Sequence, residues 1–225
     1  MFYGIAKNVG VADMAVWKLL NRKGDFQLLR DRFGLDPVTI RLLCNRFINT
    51  PEAVREFLYP ELTDLHDPFL MNGMDKACDV IREAIRVNEK IRIIGDYDAD
   101  GVFSTYILFD SLKKLGADVD YRIPERVRDG YGINERLVRE AAADGISLIV
   151  TCDNGISAAE QIALAYALGM KVIVTDHHEI PEVLPQAEAL LNPKLEACGY
   201  PFRELCGAGV AMKLAVALGA DVHTY

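Results

Sequence analysis

Three short runs hold the residues best able to do chemistry. Gly95-Asp96-Tyr97-Asp98-Ala99-Asp100-Gly101 sets three carboxylates on alternate positions. Asp153-Asn154-Gly155 and Asp176-His177-His178-Glu179 supply a further acid and a histidine pair. Carboxylates this close repel one another and raise one another's pKa unless cations neutralise them. Oxygen donors suit Mg²⁺ or Mn²⁺, and one histidine among them shifts the preference toward Mn²⁺. A DxDxDG run by itself also fits a solvated turn or a calcium loop. A calcium loop starting at Asp96 would need a bidentate glutamate at its twelfth position, where Ile107 stands.

Asp153 follows an apolar run directly, where an acid is either a helix N-cap or a ligand. Ser157 with Glu160 three residues on reads as a capping box, which favours the ligand reading for Asp153. Adjacent side chains on an extended segment diverge, so one of His177 and His178 is expected to bind metal and the other to face substrate. Asp176 is either a direct ligand or the partner that orients a histidine. Arg122, Arg126 and Arg128 could clamp phosphate or line a solvated loop before Asp129-Gly130-Tyr131-Gly132. Gly207-Ala208-Gly209 opens an apolar helix: its N–H groups could hold an anion, or the glycines could serve tight packing.

These runs need elements to carry them. After residue 90, short apolar runs at 91–94, 119–123, 147–152, 171–175 and 189–191 alternate with helical stretches near 102–115, 134–144 and 157–168. Each helical stretch is closed by a glycine, Gly116, Gly145 or Gly169. Continuous apolar strands alternating with helices imply a doubly wound α/β domain on a five-stranded parallel sheet. Ligands bind such sheets beyond the carboxyl ends of the strands. If the second strand lies outside the first, the first, third and fourth are neighbours and their acidic loops converge. Residues 1–88 instead read as a helical region, with helices near 13–20, 38–47, 51–58 and 74–87, and the boundary is expected at 88/89.

Composition narrows the classes. The 225 residues are 51% hydrophobic and 26% charged, enough apolar content to exclude intrinsic disorder. The net charge of −8 argues against a generic nucleic-acid coat. No apolar run is long enough for a membrane span. Five cysteines without a CxxC pair suit a reduced, cytoplasmic protein.

GDYDADG, VTCDNGIS and VTDHHE, in that order at strand ends, resemble the successive motifs of the DHH phosphoesterases. The aspartate-led first motif is similar to the RecJ-type branch. IPERVRDGYGIN, LLNPK and LCGAGVAMKLAVAL extend the likeness over nearly the whole chain from about residue 40. The resemblance implies a hydrolase with two Mn²⁺ or Mg²⁺ ions, removing nucleotides from the 5′ end of single-stranded DNA in recombination and repair, beside repair or replication proteins. It places Asp96, Asp98, Asp100, Asp153 and His177 around the metals, with Asp176 steadying His177 and His178 on the scissile phosphate. Arg126, Arg128, Gly207 and Gly209 would contact substrate. The family's further aspartate ligand and second domain have no counterpart here, so the chain reads as truncated and nearly inactive by itself. The alternatives are a phosphodiesterase for short RNA or cyclic dinucleotides, whose histidine-led first motif is missing because Arg92 stands there, and a non-catalytic scaffold of the same fold.

Overall fold

The computed structural model describes residues 18–128, 130–221 and 223. The chain divides into two compact units, residues 1–65 and 66–225. In the first, α1 (Phe26–Phe33), α2 (Pro37–Asn45) and α3 (Pro51–Leu58) are capped by Asp25, Asp36 and Thr50, each side chain accepting from a backbone N–H. Proline opens α2 and α3, where its missing N–H costs nothing. Leu29, Ile40, Leu43, Cys44 and Val54 form the small core. The helix expected over 13–20 falls outside the described residues up to 17, and Lys18, Leu19 and Leu20 are not helical.

Past the end of α2, the Phe47 N–H donates to the Cys44 carbonyl and the Ile48 N–H to the Leu43 carbonyl. This cap puts Phe47 at φ +66°, a left-handed position usually given to glycine because a Cβ there costs about 1–2 kcal/mol. The Arg22 guanidinium lies 3.4 Å from the Phe47 ring centroid. Phe47→Gly should therefore change stability by less than about 1 kcal/mol, since strain relief offsets lost stacking and the freer unfolded chain. Phe47→Ala keeps the strain, loses the stacking, and should be less stable than the glycine variant in urea melts. The reverse order would show that the backbone is not strained there.

The second unit starts with α4 (Met74–Arg86), followed by β1 (Ile91–Ile94), α5 (Ala99–Lys114), β2 (Val119–Arg122), α6 (Glu135–Ala143), β3 (Leu148–Cys152), α7 (Ala159–Ala167), β4 (Lys171–Thr175), β5 (Ala189–Leu191) and α8 (Gly207–Leu218). The strands run parallel in the order β2-β1-β3-β4-β5. The second strand does lie outside the first. Ile94 is level with Thr151, and Cys152 with Thr175, so β1, β3 and β4 release their loops along one edge.

Alternate strand residues feed two cores. Ile91, Ile93, Leu148, Val150 and Ile173 meet α4, α5 and α8, while Ile94, Ile149, Val172 and Val174 meet α6 and α7. Because α4 buries Met74, Ala77, Cys78 and Ile81 in the first of these cores, the compact unit that holds the sheet begins ahead of the expected 88/89 boundary and includes α4. The expected capping box is absent: α7 begins at Ala159, and its N-cap, Ala158, makes no side-chain bond. No helix among the described residues is long and apolar enough to cross a membrane.

Candidate metal centre

Asp153 is the middle of the acidic edge. Leaving β3, the chain turns left-handed at this residue, φ +61°, and delivers its side chain inward with only 2% exposed. Asn154 holds the turn by donating to the carbonyls of Ile94 and Cys152, which ties the ends of β1 and β3 together. Asp153 is not a helix cap. Its Oδ1 is buried and accepts no hydrogen bond, although His177 Nε2 stands 3.0 Å away, an arrangement in which a cation could satisfy both atoms. Burial, then Asp100 and Asp98, push its pKa up to about 8.

Two sets of ligand atoms meet at this carboxylate. Asp96, Asp98 and Asp153 place one oxygen each within 4.8 Å of one another, and Asp153, His177 and His178 do the same with one oxygen and two ring nitrogens. Each set suits a divalent cation, and the two share Asp153. The oxygen-rich set fits Mg²⁺ or Mn²⁺, and the imidazole-bearing set favours Mn²⁺. Asp96 is buried, which raises its pKa, and it accepts from the Gly132 N–H at 3.4 Å. Asp98 is exposed and also caps α5, accepting from the Gly101 N–H at 2.9 Å.

The histidines do not diverge along an extended strand. The chain bends at His178, and the two rings lie 4.5 Å apart. His177 Nε2 is 3.0 Å from Asp153 Oδ1 and 3.4 Å from Asp100 Oδ2. Burial, then His178, lower its pKa, so a lone pair is available to a cation. Asp176 holds His178, not His177, by side chain: Oδ1 lies 2.7 Å from His178 Nδ1 and accepts both histidine backbone N–H groups, while Oδ2 accepts from Ile156 N–H. That hydrogen bond raises the His178 pKa. Burial works against the Asp176 carboxylate, yet the bonds from His178 and Ile156 together hold its pKa down.

Asp100 has another partner. Its carboxylate accepts from the N–H groups of Gly207 and Ala208, both at 2.7 Å, so the anion held by the start of α8 belongs to the chain itself. Gly207 is required by close approach, since a Cβ there would overlap the Asp153 carboxylate. Gly209 instead donates to Cys206 Sγ at 3.3 Å. Gly207→Ala should therefore displace either α8 or Asp153 and weaken Mn²⁺ binding about tenfold or more in calorimetry. Unchanged affinity would mean that the glycine spacing does not shape the site.

Sequence reasoning did not single out Tyr131, whose hydroxyl donates to the Asp153 carbonyl at 2.7 Å and lies 3.1 Å from His178 Nε2. Its burial raises its pKa, with Asp176 adding to the effect. No spacing rule flags a tyrosine in a loop. The Arg126 guanidinium stands 5.2 Å from the Tyr97 ring, beside the acidic run. Arg128 reaches Glu125 at 3.6 Å. Arg122 turns away to Glu140 at 2.7 Å, within a group that includes buried Arg92, Asp120 and Asp144, and so is not a phosphate clamp.

Comparison with known proteins places the chain among relatives. The chain is 47% identical over 190 residues to the single-stranded-DNA-specific exonuclease RecJ of Bacillus subtilis, covering 84% of this chain and 24% of that one. It is 44% identical over 149 residues to RecJ of Escherichia coli, covering 66% and 26%. The chain thus spans about a quarter of the length of these curated relatives. Among solved structures, exonuclease RecJ bound to manganese matches with a TM-score of 0.61 at 37% identity, over 66% of this chain and 37% of that one. RecJ of Thermus thermophilus in complex with Mn²⁺ matches at 0.58 and 34%, over 73% and 22%. The model of the DHH family's N-terminal domain matches residues 90–224, the stretch that holds the sheet and every acid on its edge. By that match, and by the aspartates and histidines it encloses, the chain belongs to the DHH family.

Proposed function

We propose that this chain carries the metal-dependent, phosphodiester-hydrolysing centre of a 5′-to-3′ exonuclease for single-stranded DNA, serving recombination and repair. The observation that carries this reading is Asp153, a buried carboxylate whose Oδ1 accepts no hydrogen bond and which is the residue common to both candidate metal sets. Bound Mn²⁺ or Mg²⁺ would activate water and neutralise charge at the phosphate. Asp96, Asp98, Asp153 and His177 would hold the ions, and Asp100 would brace the site against α8. Asp176 fixes the His178 ring, which would hydrogen-bond the scissile phosphate. Arg126 stands where a nucleotide could lie against the Tyr97 edge. The substrate class is proposed from the relatives' activity. Five unpaired thiols suit the reducing cytoplasm.

The test is hydrolysis of 5′-labelled single-stranded DNA in Mn²⁺ under single-turnover conditions, with protein in excess because a chain of net charge −8 meets DNA weakly. Mononucleotide release from the 5′ end, absent in Asp153→Ala, is expected. Equal release in the variant, or preference for short RNA over DNA, would overturn the assignment.

A further inference from the structure

The first unit carries a local concentration of basic residues. Residues 18–49 hold seven basic residues (Lys18, Arg22, Lys23, Arg30, Arg32, Arg41, Arg46) against three acidic ones (Asp25, Asp31, Asp36), net +4 in a chain of net −8. Asp25 and Asp36 are occupied as helix caps. Within this stretch two guanidinium groups lie over aromatic rings. Arg22 covers Phe47 at 3.4 Å, and Arg41 lies 4.3 Å from the Phe26 centroid while donating to the Arg22 carbonyl at 2.6 Å. Arg46 precedes Phe47, and Lys23 follows Arg22. The Arg41 hydrogen bond to the Arg22 carbonyl holds the two stacked pairs near one another.

Phe47 is the odd member. It is 68% exposed, takes no part in the core, and occupies a left-handed position that favours glycine. A strained, solvent-facing aromatic adds little to folding, and such outliers concentrate where a side chain is used. We propose that this surface binds single-stranded nucleic acid, a base stacking on Phe47 beside the Arg22 plane while phosphates meet Arg22, Lys23 and Arg46. Bases stack on aromatic rings and guanidinium planes alike, and clustered cations supply the backbone term. Residues 50–65 add four acids against one base, and Arg32 pairs with Glu52, so the excess is local to the Arg22, Lys23, Arg41 and Arg46 cluster, where it favours a polyanion. The inference rests on the proposed nuclease reading for the identity of its ligand, but not on the metal centre for its binding.

The experiment is fluorescence anisotropy of a labelled single-stranded oligothymidylate with the 225-residue chain, in EDTA and over a range of salt. Wild type should bind, and Phe47→Gly should bind about fivefold or more weakly while remaining folded at the assay temperature, as its melting curve should show. Arg22→Gln with Arg46→Gln should weaken binding and flatten the log–log salt slope by about 1.4. Both surface variants should bind Mn²⁺ as wild type does, so a failure of the metal centre and a failure of this surface are read separately. Wild-type affinity and slope in both surface variants would overturn the proposal. So would a wild-type chain that binds Mn²⁺ yet no oligonucleotide, which would leave the metal-centre reading standing.

Discussion

Asp153→Asn is expected to stabilise the metal-free protein while abolishing its response to Mn²⁺. Burial and two neighbouring acids hold the Asp153 pKa near 8, against 3.8 for the ordinary carboxyl. Below about pH 4 the residue is protonated in both folded and unfolded chains, so it has no effect on stability. As pH rises from there toward 8, the unfolded chain releases the proton and the folded one resists, so stability falls; above 8 the penalty is constant. Asparagine escapes it, and about 2 kcal/mol of stabilisation at pH 8 is a conservative share of the shift. For a unit of this size that is a rise of about 5 °C in Tm. Mn²⁺ should raise the Tm of wild type and leave the variant unmoved. A variant less stable than wild type at about pH 8 without metal would show that the carboxylate is not strained.

Substitutions in the Asp176-His177-His178 run should separate by partner. Asp176→Ala strips acceptors from three backbone N–H groups and from the His178 ring. Buried donors left unpaired cost about 1–3 kcal/mol each, so a loss near 3 kcal/mol is expected in denaturant melts. In the proposed site, hydrolysis at saturating Mn²⁺ should fall about 100-fold, because an unheld His178 would no longer be aimed at the phosphate. His178→Ala should show the same rate loss with little of the instability. His177→Ala should instead raise the Mn²⁺ concentration needed, since its Nε2 faces Asp153 and Asp100. Matching Mn²⁺ dependence and matching rates in the two histidine variants would contradict this division.

The sheet was legible because its strands are buried on both faces, so their apolar runs are unbroken. Ile91–Ile94 and Lys171–Thr175 were placed to the residue. The convergence of the acidic loops followed from strand order alone. What could not be read depended on local backbone and on distant partners. Ser157 matches a capping signal, yet the chain after β3 spends those residues on a turn, and Ile156 is fastened to Asp176 instead. That Asp176 steadies His178 follows from a bend no pattern announces. The occupation of the α8 start by Asp100 joins residues 107 apart in sequence, and only the packing of α8 on α5 brings them together. The place of α4 was hidden for a similar reason: it looks like its helical predecessors but buries its apolar face in the core of the sheet.

The most direct measurement is calorimetric titration of Mn²⁺ into the 225-residue chain at about pH 8, beside the same titration of Asp153→Asn. Two candidate ligand sets that share one carboxylate imply saturable binding by the wild-type chain, approaching two ions. They also imply that the variant loses most of it for both ions, since the side chain common to both sets gives up its negative charge and one of its oxygens. Absence of saturable binding in wild type, or binding that survives unchanged in Asp153→Asn, would contradict a metal centre built on this edge.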